Sequence, residues 1–81
     1  MLEGITEGEL PCQVFRRLIK VDPTIGNILL SEIFHEEFIE VDNLALQLIW
    51  RWRGAGKTEG ISDDSLNSKL LFMLKNAGYL V

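Results

Sequence analysis

Gly56-Lys57-Thr58, in the stretch RWRGAGKTEG, is how a phosphate-binding loop ends. In the full pattern G-x-x-x-x-G-K-[ST], the first glycine lets backbone amides curl around phosphate oxygens, and the lysine neutralises them. Counting back from Gly56, that first glycine belongs where this chain has Arg51. Glu59-Gly60 then interrupt the chain where the loop's helix should begin, and 81 residues leave no room for the parallel α/β sheet from which such loops grow. The dinucleotide pattern G-x-G-x-x-G fails in the same way. Gly54 and Gly56 begin it, but Glu59 stands in the third glycine's place. The stretch reads as a glycine-bearing loop between helices, and no cofactor is expected.

Glu32 and His35 match Glu-x-x-His, the pair that di-metal carboxylate bundles present on one helix face. Such sites need a second pair, and His35 is the sole histidine. The zinc-protease pattern fails too, because residue 39 is Ile39. Cys12 is the only cysteine and sits among Leu10, Val14 and Phe15, so it reads as a buried thiol without a disulfide partner. No nucleophile stands beside a base in the manner that serine or cysteine hydrolysis requires. Catalytic and metal residues are therefore assigned to none, and the chain is read as a non-enzyme.

The strongest chemical signal is WRWRGAGK. Arg51, Arg53 and Lys57 interleaved with Trp50 and Trp52 could stack bases and hold phosphates. Trp and Arg are also the residues most enriched at protein–protein hot spots. A third reading puts the tryptophans in the core, with the arginines paired to surplus acids. The acids themselves cluster, with Glu32, Glu36, Glu37, Glu40 and Asp42 within eleven residues. Such a run is ordinarily a solvated face, and it could equally dock on a basic partner surface.

Composition weighs among these readings. Eight basic residues against twelve acidic ones give a net charge of −4, which disfavours a duplex-binding domain that must neutralise phosphates. The content of 47% hydrophobic residues suits a single folded domain over 1–81, with 1–5 frayed. No secretory leader and no apolar run of about 20 residues is visible, so the reading is soluble and cytoplasmic, without a membrane partner.

The elements that must position these residues are helical. Thr6 to Glu9 fits a capping box ahead of a first helix in which Leu10, Val14 and Leu18 recur beside Phe15 and Ile19. Asp22-Pro23 reads as the cap and first position of a second helix reaching Phe38. That helix carries two apolar stripes, Ile25/Ile28/Leu29/Ile33 and Leu30/Phe34/Phe38, and so wide a face suits a central helix or one that also meets a partner. Gly26 inside it would mark a close helix crossing. Asp42 or Asn43 caps a third helix through Leu44, Leu48 and Trp52, although alternation over residues 46–53 fits a strand as well. Ser62-Asp63-Asp64 starts the last helix, which buries Leu66, Leu70, Met73, Leu74 and Ala77 and closes at Gly78.

The expectation is an all-α bundle of three to four short helices that works by binding another protein, alone or as a homodimer. It would be a regulatory module such as an acidic inhibitor or adaptor, and its partner-binding residues are Trp50, Arg51, Trp52, Arg53, Lys57, Glu32, Glu36, Glu37 and Glu40. The alternative is a nucleic-acid-binding, helix-turn-helix-like domain using the Arg51/Arg53/Lys57 patch, with Arg16, Arg17 and Lys20 as further candidate contacts. Asp63-Asp64 would repel phosphates at the start of its reading helix, so nucleic acid ranks second.

Overall fold

A computed structural model describes residues 1–54 and 57–81. Among the described residues, four α-helices form the domain: α1 (Pro11–Val21), α2 (Asn27–Glu37), α3 (Leu44–Trp50) and α4 (Asp63–Asn76), preceded by a 3-10 turn at Glu3–Glu7. Among the described residues there is no strand, only an isolated parallel bridge between Trp52 and Ile61. The expected all-α bundle is present. Helix α2 packs on α3, α3 and α1 pack on α4, and the 3-10 turn packs on α1.

Residues 1–5, expected to fray, are instead part of the core. Leu2 and Ile5 are fully buried, and the Leu2 amide donates to Glu37 Oε1 at 3.1 Å. Their spacing of three is the period of a 3-10 turn, which brings both side chains to one face. Thr6 lies inside that turn, with its Oγ1 donating to the Glu3 carbonyl, and does not cap α1. Pro11 explains the shift. It holds Leu10 in an extended conformation (φ −73°, ψ 140°), so no helix can run through from Thr6, and Pro11 itself becomes the first residue of α1.

Asp22-Pro23 does break the chain, but not by capping. Asp22 Oδ1 accepts from both the amide and the hydroxyl of Thr24 (3.1 and 2.6 Å), a side-chain turn that delays α2 to Asn27. Gly26 precedes the helix, and a Cβ there would meet no atom within 4 Å, so it marks no close crossing. Of the two stripes on α2, Leu30, Phe34 and Phe38 enter the core while Ile28 and Leu29 remain outside.

Helix α3 opens with Asp42 Oδ1 accepting from the Leu44 amide at 2.9 Å and stops at Trp50. Arg51 still holds a helical conformation (φ −87°, ψ −2°), and only from Trp52 does the chain leave it for the bridge to Ile61. Residues 46–50 are therefore helix, and the rival strand reading over 46–53 does not hold. The Ile61 amide donates to the Arg51 carbonyl at 2.7 Å and the Arg53 amide to the Ile61 carbonyl at 2.8 Å. Helix α4 begins with Ser62 Oγ accepting from the Ser65 amide. At its end Gly78 takes φ +96°, and the amides of Gly78 and Tyr79 return to the carbonyls of Lys75 and Leu74.

A chain of aromatic rings runs through the core. Trp52 lies 5.6 Å from Phe15, Phe15 lies 6.4 Å from Phe34, and Phe38 lies 5.0 Å from both Phe34 and Tyr79. Leu66, Leu70 and Leu74 of α4 close over the same core.

Candidate functional site

The end of α3 sends its two tryptophans to opposite fates. Trp52, past the last helical turn, is 0% exposed, and its Nε1–H donates to Asp63 Oδ1 at 2.9 Å. The Arg16 guanidinium lies 5.1 Å above its ring and pairs with both oxygens of Asp63 at 2.8 and 2.9 Å. Asn27 Nδ2 donates to the Trp52 carbonyl at 2.8 Å. Trp52 is thus a buried structural residue held by Asp63, Arg16 and Asn27, and its expected role as a partner contact is corrected. A buried ring of that size can be held only where its N–H finds an acceptor.

Trp50 is 48% exposed. Its Nε1–H donates to Ser31 Oγ at 2.7 Å, and Ser31 Oγ in turn donates to the Ile28 carbonyl at 2.6 Å. The indole is therefore pinned against α2 with its one polar group already used, and what faces solvent is ring carbon. Ile28, 68% exposed, and Leu29 stand beside it, and these residues with Asn27, Glu32 and Lys57 line a cleft of about 810 Å³. A second depression continues past Trp50 and Leu46 to His35 and Glu36. Ile28 and Leu29 were legible as part of a wide stripe but not as site residues. The packing of α3 on α2, with the Trp50–Ser31 hydrogen bond, places Trp50 beside them.

The remaining candidates divide. Glu32, Glu36 and Lys57 rim the Trp50 surface. Glu37 turns to the Leu2 amide, and Glu40 lies near Tyr79 and α4. Arg51 lines a groove between α3 and α4. Arg53 is close enough for its charge to act on Asp63. Arg51, Arg53 and Lys57 border three different places instead of one patch. Arg16 is bound to Asp63 and Arg17 to Glu9. Gly56, on which the phosphate-loop and dinucleotide patterns both turn, lies outside the described residues.

Cys12 is buried, with its Sγ donating to the Asp63 carbonyl at 3.6 Å. Burial, reinforced by the Asp63 charge, pushes its thiol up to about 12, which keeps it protonated at neutral pH. Among the described residues no three His, Cys, Asp or Glu side chains gather as a metal site, and no helix is long and apolar enough to cross a membrane.

The Arg16–Asp63 pair makes a pH prediction. Hydrogen bonds from Arg16, supported by the Trp52 N–H and the Arg53 charge, hold the Asp63 carboxyl below its ordinary value against the opposing effect of burial. A carboxyl depressed on folding stabilises the folded state above the unfolded-chain pKa, and this contribution is lost as pH falls through the folded value. Wild type is expected to lose denaturant resistance in the acidic window below the ordinary aspartate pKa. The difference between wild type and Asp63→Asn should shrink over that same window. A constant difference across the window would remove Asp63 from the linkage.

No family model, curated protein or solved structure matches this chain.

Proposed function

We propose that this chain is a protein-binding domain that docks a basic, partly apolar partner surface on the α2–α3 face, with Trp50 as its anchor. The observation that carries this reading is the exposed indole whose N–H is already satisfied by Ser31, next to Ile28 and Leu29. Covering such a surface gains the burial of a large rigid side chain at little entropic cost. Glu32 and Glu36 at the rim supply orientation and encounter rate toward a positively charged partner. This is the behaviour of an acidic adaptor or inhibitor. The nucleic-acid alternative is weaker because its three basic residues border separate regions.

The test is capture from nuclease-treated extract on immobilised wild type, followed by titration of the captured protein. Trp50→Ala and Ile28→Glu are expected to weaken binding by about tenfold to a hundredfold, as hot-spot truncations do. Glu32→Lys with Glu36→Lys should chiefly slow association. Binding that ignores all four changes, or that disappears with nuclease, would sink the proposal.

A further inference from the structure

The other flank of α3 runs beside α4. Leu44, Leu48 and Arg51 lie on one face of α3, and Lys69, Phe72 and Met73 lie on one face of α4, each set at helical spacing. Together they line an open groove of about 390 Å³. Leu44 is 57% and Phe72 66% exposed, so the centre of this groove offers apolar surface that nothing in the domain covers.

Its charges are arranged end to end. Arg51 and Lys69 border the groove on one side, and among the described residues neither forms an ion pair. The same apolar floor, Leu44, Phe72 and Met73, continues into a second depression bordered by Glu40 and Asp42. Those two carboxylates form no ion pair among the described residues either. Arg51, just past α3, lies about 10 Å along the helix axis from Leu44 at 1.5 Å per residue, and Glu40 and Asp42 precede Leu44, so the two charged ends are distinct.

A wholly acidic partner would match the Arg51/Lys69 end and be repelled at Glu40/Asp42, and a wholly basic one would meet the reverse. The same surface rotated by a half-turn matches at both ends. We propose that the α3–α4 groove is a homodimer interface with twofold symmetry. Phe72 and Leu44 of the two copies meet at its centre, and Arg51 and Lys69 of each copy face Glu40 and Asp42 of the other. This is the self-complementary arrangement that a twofold contact requires. It is independent of the Trp50 surface, which lies on the opposite flank of α3 and stays open to a different partner.

The experiment is sedimentation equilibrium across protein concentrations, on wild type and on three surface variants whose helix content is checked by circular dichroism. Wild type is expected to dimerise, and Phe72→Glu to raise the dimer dissociation constant by about a hundredfold or more, since each change is counted twice. Arg51→Glu with Lys69→Glu, and separately Glu40→Lys with Asp42→Asn, should each sediment as monomers, because each places like charges end to end. Mixed together, those two charge variants should form a heterodimer. The mixing result carries the test if Phe72→Glu folds poorly. A wild type that remains monomeric, a dimer indifferent to Phe72→Glu, or charge variants that fail to pair when mixed would each overturn the proposal.

Discussion

Trp52→Ala is expected to cost about 3–5 kcal/mol of folding free energy, measured by urea denaturation followed by circular dichroism. At about 0.05–0.15 kcal/mol per residue, a chain of this length has roughly 4–12 kcal/mol in total, so the loss could exhaust it. The reason lies in what converges on the indole. It is fully buried, packs at a tilt against Phe15, lies under the Arg16 guanidinium, and donates to Asp63. Removing it leaves a cavity that four helices would have to collapse around, and Arg16 loses its ring contact. Trp52→Phe separates the terms. It keeps much of the volume and loses the N–H, but Asp63 still accepts from Arg16, so no carboxylate is orphaned and the cost should fall to about 1–2 kcal/mol. Trp50→Ala, on the surface, should cost less than either. If Trp50→Ala proved as damaging as Trp52→Ala, the assignment of core and surface would be wrong.

Gly60→Ala should be nearly as severe, at about 2–4 kcal/mol, for a backbone reason. Gly60 has φ +128°, which L-residues avoid, and an added Cβ would lie 2.3 Å from the Arg51 carbonyl oxygen. That oxygen already accepts from the Ile61 amide, so relieving the clash means opening the bridge between the end of α3 and the start of α4. Gly78→Ala is the control. Its φ is also positive at +96°, but its Cβ would meet nothing within 4 Å, leaving only the conformational cost of about 1–2 kcal/mol. Amide hydrogen exchange reads the mechanism directly, because Ile61 and Arg53 should lose protection in Gly60→Ala and keep it in Gly78→Ala. Equal losses in both variants would argue that the bridge is not the point of failure.

Signals written within a few residues of where they act were legible. Ser62 caps α4, Gly78 closes it, and Leu66, Leu70 and Leu74 bury one face, all from local spacing. Cys12 reads as buried from its neighbours and is buried. Signals that depend on distant partners were not legible. The alternation over residues 46–53 admits a strand, but the cap and Leu44-Ala45 favour helix, and the chain is helical to Trp50. What spacing does not show is the bridge from Trp52 to Ile61, nine residues beyond it. Arg16 shows as a polar residue on the outer side of α1, but its partner Asp63 is 47 residues away. The acidic run reads as one surface in sequence, but Glu37 stands one step around α2 from Glu36 and accepts from the Leu2 amide, and Glu40 lies beyond the end of the helix. Leu2 and Ile5 were missed because two apolar residues are too few to display a period.

The divergence of Trp50 and Trp52 also gives the molecule two separate optical reporters. A buried indole held by a carboxylate responds when the fold opens, and an indole half open to water responds to whatever comes to rest on it. Acrylamide reaches the second and not the first. Emission from a Trp50→Phe chain therefore follows folding alone, and emission from a Trp52→Phe chain follows occupancy of the α2–α3 face, with no label added to either.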